Sequence, residues 1–251
     1  MSLAYNLRTE IPTFSWRSLL AFIGQQPRYY GIFYTIIIVQ IMLLVAVAVQ
    51  STVPVERLFR DMLSVAEDYP GCCHVYDGMI SNLGILLWWA AASVTGFATL
   101  VAMSLSARTY DIVALAMAAV FSAWLAIDDL FLLHDIVLPL IGMPQPATYA
   151  LYGAIVFAYI ALAWRVVLTA FPIFLLMAIS ALGLSIVIDI LAGHNFGAIS
   201  DWLRANQRTE FLLEDGFKFL GIGFWCCVHI AAAMKVVEEA AISSAQEGRR
   251  S

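Results

Sequence analysis

The chain has 251 residues, 62% of them hydrophobic and 12% charged, with a mean hydropathy of +0.86. Soluble domains carry about 25% charged residues, so this composition excludes a water-facing globular fold and points to an integral membrane protein. A formal charge of −5 with no basic stripe leaves nucleic acid out as a partner.

Residues 1–30 contain Arg8, Glu10, Arg17 and Arg28. They lack the unbroken apolar core and small-residue cleavage pattern of a secretory leader. The stretch "IPTFSWRSLLAFIG" instead reads as an interfacial amphipathic helix. A membrane-crossing helix needs about 20 mostly apolar residues. Six segments meet that requirement: 31–50, 79–103, 111–134, 147–168, 170–191 and 208–234. Between and after them, 51–78 is expected as an outer loop and 235–251 as a cytoplasmic tail. The expected fold is all-α, a polytopic bundle of about six transmembrane helices forming a single domain over 1–251. Helices satisfy every backbone group inside lipid, where an open sheet could not.

Lys and Arg favour the cytoplasmic side. With the N-terminus inside, eight of the 13 fall there (Arg8, Arg17, Arg28, Arg108, Arg165, Lys235, Arg249 and Arg250) and four outside (Arg57, Arg60, Arg204 and Arg208). Lys218 lies within the sixth segment. Both termini are therefore expected in the cytoplasm. On that topology five of the 18 acids are internal, and the other thirteen gather at the outer loops and outer helix halves. His74, His134 and His194 fall on the same side.

The smaller signals have structural readings. Cys72-Cys73 and Cys226-Cys227 are vicinal pairs, a spacing that rarely bridges and matches no zinc or redox motif. Cys226 and Cys227 read as small buried apolar residues. "WWAAASVTG" and "GIGF" read as close-packing surfaces. Ser81 and Asn82 mark either an interface or a polar cavity. "HDIVLPLIGMPQPATY", with three prolines, reads as a re-entrant lid. His194 reads as an exposed loop residue, and His229 as a residue that bonds across helices.

The segment "AIDDLFLLHD" (126–135) carries the sharpest signal. Asp128, Asp129, Asp135 and Asp189 lie toward helix C-termini, where exposed carbonyls repel a carboxylate. They must be protonated, hydrated or met by a cation. At about 100° per residue, Asp128 and Asp135 point within about 20° of each other, and Asp129 turns toward a neighbouring helix. In the sixth segment Glu210, Glu214 and Lys218 share one stripe, with Glu214–Lys218 a ready i,i+4 pair. If the stripes face one another, the carboxylates outnumber the one lysine. Expected metal ligands are Asp128, His134, Asp135, Glu210 and Glu214, holding a divalent metal: zinc, iron or manganese. Asp129 or Asp215 is expected as the general base, Lys218 as a stabiliser of developing negative charge, and Asp189 as a supporting acid. No HExxH or repeated Glu-x-x-His motif is present.

The motifs "DDLFLLHD" and "EFLLEDGFKFLG" resemble those of a set of uncharacterised bacterial multi-pass membrane proteins, in which an Asp-Asp-x4-His-acid helix precedes an acid-acid-Gly-x-Lys helix. The resemblance covers the third to sixth segments, implies a multi-pass protein of the bacterial inner membrane, and names no activity. A more distant similarity is to membrane hydrolases of the alkaline ceramidase type, which hold zinc with His and Asp from several helices. Their late His-x-x-x-His is absent here, and Glu210 and Glu214 stand at that spacing. The similarity therefore serves as an analogy for reaction type.

Three functions fit these residues. One is a metal-dependent hydrolase acting on a lipid or amphiphile reached from the bilayer. Another is a proton- or cation-coupled carrier using the same acids. The third is a non-catalytic subunit held in a larger membrane complex by its apolar faces.

Overall fold

The structure, a computed structural model, describes residues 30–68 and 71–247. The interfacial helix expected over 1–30, with Arg8, Arg17 and Arg28, lies outside the described residues, as do Arg249 and Arg250. The chain divides into two compact units, Met1–Thr35 and Ile36–Ser251. In the first, the described residues open a helix, and Thr35 Oγ1 donates back to the Gly31 carbonyl at 2.9 Å.

Nine α-helices organise the described residues, joined by a π-turn and a three-residue helical turn, with no strand among them. They are α1 (Tyr30–Val49), α2 (Val55–Phe59), α3 (Met62–Asp68), α4 (Met79–Ser104), α5 (Thr109–Phe131), α6 (Gln145–Ala170), α7 (Pro172–Gly193), α8 (Ala198–Ala205) and α9 (Gln207–Glu247). Six of these, α1, α4, α5, α6, α7 and α9, are long and apolar enough to cross a membrane. The expected all-α multi-pass bundle is what forms. Short connections make successive spans antiparallel, so the C-terminal ends of α5 and α7 meet the N-terminal ends of α4, α6 and α9 at one end of the bundle.

Within the larger unit α9 is the central helix, packing on α4, α5, α6 and α7. Its buried side chains include Phe219, Ile222, Trp225, Cys226, Cys227, Val228 and Ala231 to Ala233. Lipid gives helices no hydrophobic drive to associate, so close approach through small residues does that work. A Cβ on Gly221 would stand 2.7 Å from Leu182 Cγ, and one on Gly223 would collide with the Gln40 side chain. The packing roles expected for "GIGF" and the second cysteine pair hold.

Three features differ in detail from the expectations. Residues 235–247, the start of the expected tail, continue α9 as helix, and Lys235 Nζ donates to Thr169 Oγ1 at 2.7 Å. The segment 51–78, expected as an outer loop, contains α2 and α3 and is pinned by a buried fork. Arg57 Nε donates to Asp77 Oδ1 at 2.9 Å, and its Nη2 donates to Oδ2 at 2.8 Å. The His74 backbone N–H donates to the same Oδ2 at 2.7 Å. The Arg57 hydrogen bonds hold the Asp77 carboxyl below its usual value of 3.8 against the opposing effect of burial. Cys72 and Cys73, expected not to bridge, are joined in a vicinal disulfide.

The fourth difference shapes the site. The helix expected over 111–134 stops at Phe131, and Leu132 takes a left-handed conformation with φ 53°. That conformation costs a non-glycine residue roughly 1–2 kcal/mol. A π-turn, Leu133–Val137, follows. The segment expected as a re-entrant lid becomes this turn, a short helical turn at Leu138–Leu140 and a bend at Gly142, and its Leu140 and Ile141 are exposed.

Candidate functional site

The break after Phe131 brings His134 back against the end of α5. Asp128 receives it. Asp128 Oδ1 accepts the His134 backbone N–H at 3.0 Å, and Oδ2 lies 2.6 Å from His134 Nδ1. The same carboxylate accepts the Tyr152 hydroxyl from α6 at 2.8 Å. Both residues are buried. This contact replaces the seven-residue helical register expected to align Asp128 with Asp135. Asp135 instead sits exposed at the rim, its Oδ2 3.2 Å from His134 Nε2 and its Oδ1 accepting Gln145 Nε2 at 2.9 Å. Burial pushes the His134 imidazole toward its neutral form, and the Lys218 charge adds to that effect. The hydrogen bond to Asp128 and the charges of Asp135 and Asp128 outweigh both, so its pKa lies above the ordinary 6.5.

Asp129, one residue on, turns toward α4 and α9 as its helical position requires. Lys218 Nζ stands 2.8 Å from Asp129 Oδ1, and Trp88 Nε1–H donates to Oδ2 at 2.9 Å. Lys218 thus pairs across helices with Asp129, and not with Glu214 as the i,i+4 spacing suggested. On α7, Asp189 accepts the Tyr149 hydroxyl at 2.6 Å.

These groups line one end of a cavity of about 450 Å³ formed between α4, α5, α6, α7 and α9. Its polar end carries Asp128, Asp129, His134, Asp135, Asp189, Glu214, Asp215 and Lys218. Its other end is apolar, with Phe121, Leu125, Val156, Ile160, Leu182 and Ile186. Six carboxyl groups therefore share the space with one lysine and one histidine. Among the described residues Glu214 and Asp215 have no hydrogen-bond or ion-pair partner. Of the expected site residues only Glu210 does not line this cavity.

One ligand atom each from Asp128, Asp129 and His134 lies within 4.8 Å of the others, a grouping able to hold a metal ion. This trio differs from the expected ligand set, since it takes in Asp129 and leaves out Asp135, Glu210 and Glu214. Trp88, Gln145, Tyr149 and Tyr152 are site residues that the sequence reading missed. Trp88 belongs to "WWAAASVTG", whose small residues do pack, with Ala91 and Ala92 buried. The only signal for the tyrosines was their i,i+3 spacing at the start of α6.

His194 and His229 behave as expected. His194 is an exposed residue capping the end of α7. His229 is fully buried and lies 2.9 Å from the Tyr159 hydroxyl on α6, with Nδ1 2.8 Å from the Trp225 carbonyl. A neutral imidazole that donates to the carbonyl and accepts from the tyrosine satisfies both nitrogens.

No curated protein and no solved structure matches the chain. A family model matches residues 13–232, and the chain belongs to that family, described as a domain of unknown function (DUF8692).

Proposed function

We propose that the protein is a metal-dependent hydrolase of the bacterial inner membrane acting on a lipid or other amphiphile, with a divalent ion (zinc, iron or manganese) held by Asp128, Asp129 and His134. One observation carries this reading. A carboxylate–carboxylate–imidazole grouping stands at the charged end of a cavity whose other end is apolar. That division matches a molecule with a polar head and an apolar tail. Carboxylate and imidazole ligands suit such ions, and the ion would supply a Lewis acid.

The protein's own groups then divide the remaining work. Asp215 faces the cavity without a partner, so it is free to take a proton from the attacking water and return it to the leaving group. Lys218, beside Asp129, stabilises negative charge developing on the substrate. Tyr152 and Trp88 hold the two aspartates in orientation. The test is hydrolysis of a fluorogenic long-chain amide and ester by detergent-purified protein. Chelation should abolish turnover, added zinc or manganese should restore it, and His134→Ala should show none. Chelator-resistant turnover, or none with any metal, would contradict the reading.

A second reading, a proton- or cation-coupled carrier, draws on the unpartnered Glu214 and Asp215 within a cavity that also holds an ion-paired lysine. It predicts pH-dependent flux in proteoliposomes that survives chelation. The partner implied by either reading is the bilayer itself.

A further inference from the structure

The inference here deepens the amphiphile reading and rests on it. The helices α6 and α7 are joined tightly through Phe171 and Pro172. Near that junction they are well packed, with Ala163, Val166, Val167 and Ala170 on one and Phe174, Leu175 and Ala178 on the other all buried. Toward the charged end of the cavity the packing changes. Gly153 and Phe157 on α6, and Ile179 and Gly183 on α7, line the cavity and are exposed. Each pair is spaced i,i+4, so each forms one stripe along its helix. A Cβ added to either glycine would meet no atom within 4 Å. These glycines therefore do not serve close helix packing, unlike Gly221 on α9. They leave a gap in the cavity wall at membrane depth.

What fits the gap follows from the lining. At about 30 Å³ per water-sized group, 450 Å³ holds at least roughly fifteen such groups, room for one chain with a small head. The head would reach an end where Glu214 and Asp215 lack partners while Lys218 and His134 are already paired. An anionic head there meets unpaired carboxylates, and an amine head pairs with Glu214 and leaves Asp215 to act as base.

We propose that α6 and α7 form a side door at Gly153 and Gly183, through which a single-chain amphiphile with an amine-bearing head passes from the bilayer, its chain lying between Phe157 and Ile179 and its head against Glu214. The chain's passage replaces lipid contact with protein contact, so it needs no exposure to water.

The test uses the full chain in nanodiscs of zwitterionic lipid and a dodecylamine carrying a diazirine at its chain end. Irradiation should attach the probe to α6 and α7 around Gly153, Phe157, Ile179 and Gly183. Gly153→Phe and Gly183→Phe fill the gap and should each cut labelling by about fivefold or more. Gly193→Phe, at an exposed and open position outside the cavity, should not. Dodecylamine should compete with the probe about tenfold better than dodecyl phosphate. Labelling that is unchanged in both cavity variants, or equal competition by amine and phosphate, overturns the proposal. The two readings fail separately. Labelling as described without metal or hydrolysis leaves the side door standing and removes the hydrolase. Metal-dependent hydrolysis of long-chain substrates that both Phe variants leave unchanged does the reverse.

Discussion

Lys218 on α9 places its ammonium 2.8 Å from Oδ1 of Asp129 on α5, joining the two helices that contribute most of the charge to the cavity. Removing the cation leaves the Asp129 carboxylate among five other cavity carboxyl groups, with only the Trp88 indole for a hydrogen-bond partner. Breaking a buried pair in this way costs about 3–5 kcal/mol. The Lys218 side chain is 32% exposed to the cavity, so solvent screening should bring Lys218→Met down to about 2 kcal/mol. A thermal melt in detergent should show the drop in Tm, and Asp129→Asn in the same chain should recover most of it. A double variant as unstable as the sum of the singles would show that the two residues do not interact.

Trp88→Phe separates packing from hydrogen bonding. Phenylalanine preserves an aromatic ring against Trp225, whose ring centroid lies 5.9 Å away, and removes the N–H that reaches Asp129. A hydrogen bond to a charged group contributes about 1.5–3 kcal/mol. The variant should lose stability within that range, and Trp89→Phe, on the neighbouring exposed residue, should lose almost none. Equal melting of the two variants would contradict the assignment of Trp88 to the site.

The Arg57–Asp77 fork gives the loop 51–78 a defined response to acid. Asp77 is held below 3.8 in the folded protein, so its contribution is complete above the unfolded value and disappears as the pH falls through the lower, folded one. Melting followed from pH 6 down to about 3 should show a loss of stability in the acid range. Asp77→Asn should be less stable at neutral pH and show a smaller change on acidification. A variant with the same acid profile as the native chain would place the pH response elsewhere.

Gly221→Ala tests the central packing seam. The added methyl would fall 2.7 Å from Leu182 Cγ and 3.0 Å from the Leu182 backbone nitrogen, so the whole turn of α7 has to move. Overpacking of this kind costs about 1–3 kcal/mol. The same change at Gly183, which faces open space, should be neutral or slightly stabilising through helix propensity. Detergent-dependent melting of both variants checks the contrast.

The spans were legible because twenty-residue apolar runs have one physical use in a chain this poor in charge. The gathering of acids at one end was legible for the same reason, since each is costly in lipid. What the sequence could not give was the register after Phe131. Counting residues along an ideal helix aligned Asp128 with Asp135. The left-handed Leu132 and the π-turn cancel that count and substitute His134. Nothing in "LFLLHD" marks the break, because neither glycine nor proline stands at it. Glu210 shares a stripe with Glu214 but, one turn nearer the start of α9, does not line the cavity. Trp88 and Tyr152 were missed because a hydrogen-bonding aromatic and a packing aromatic look alike until the acceptor's position is known.

The most direct test of the account is metal stoichiometry in the purified full chain. Dialysis against zinc, iron(II) and manganese, each followed by elemental analysis, should leave about one tightly held ion per chain for one of them. Asp128→Ala, Asp129→Ala and His134→Ala should each reduce that to background, while Glu210→Ala, outside the cavity, should retain it. Retention of the ion by the first three variants, or the absence of any retained ion in the native chain, would contradict a metal centre at the end of α5.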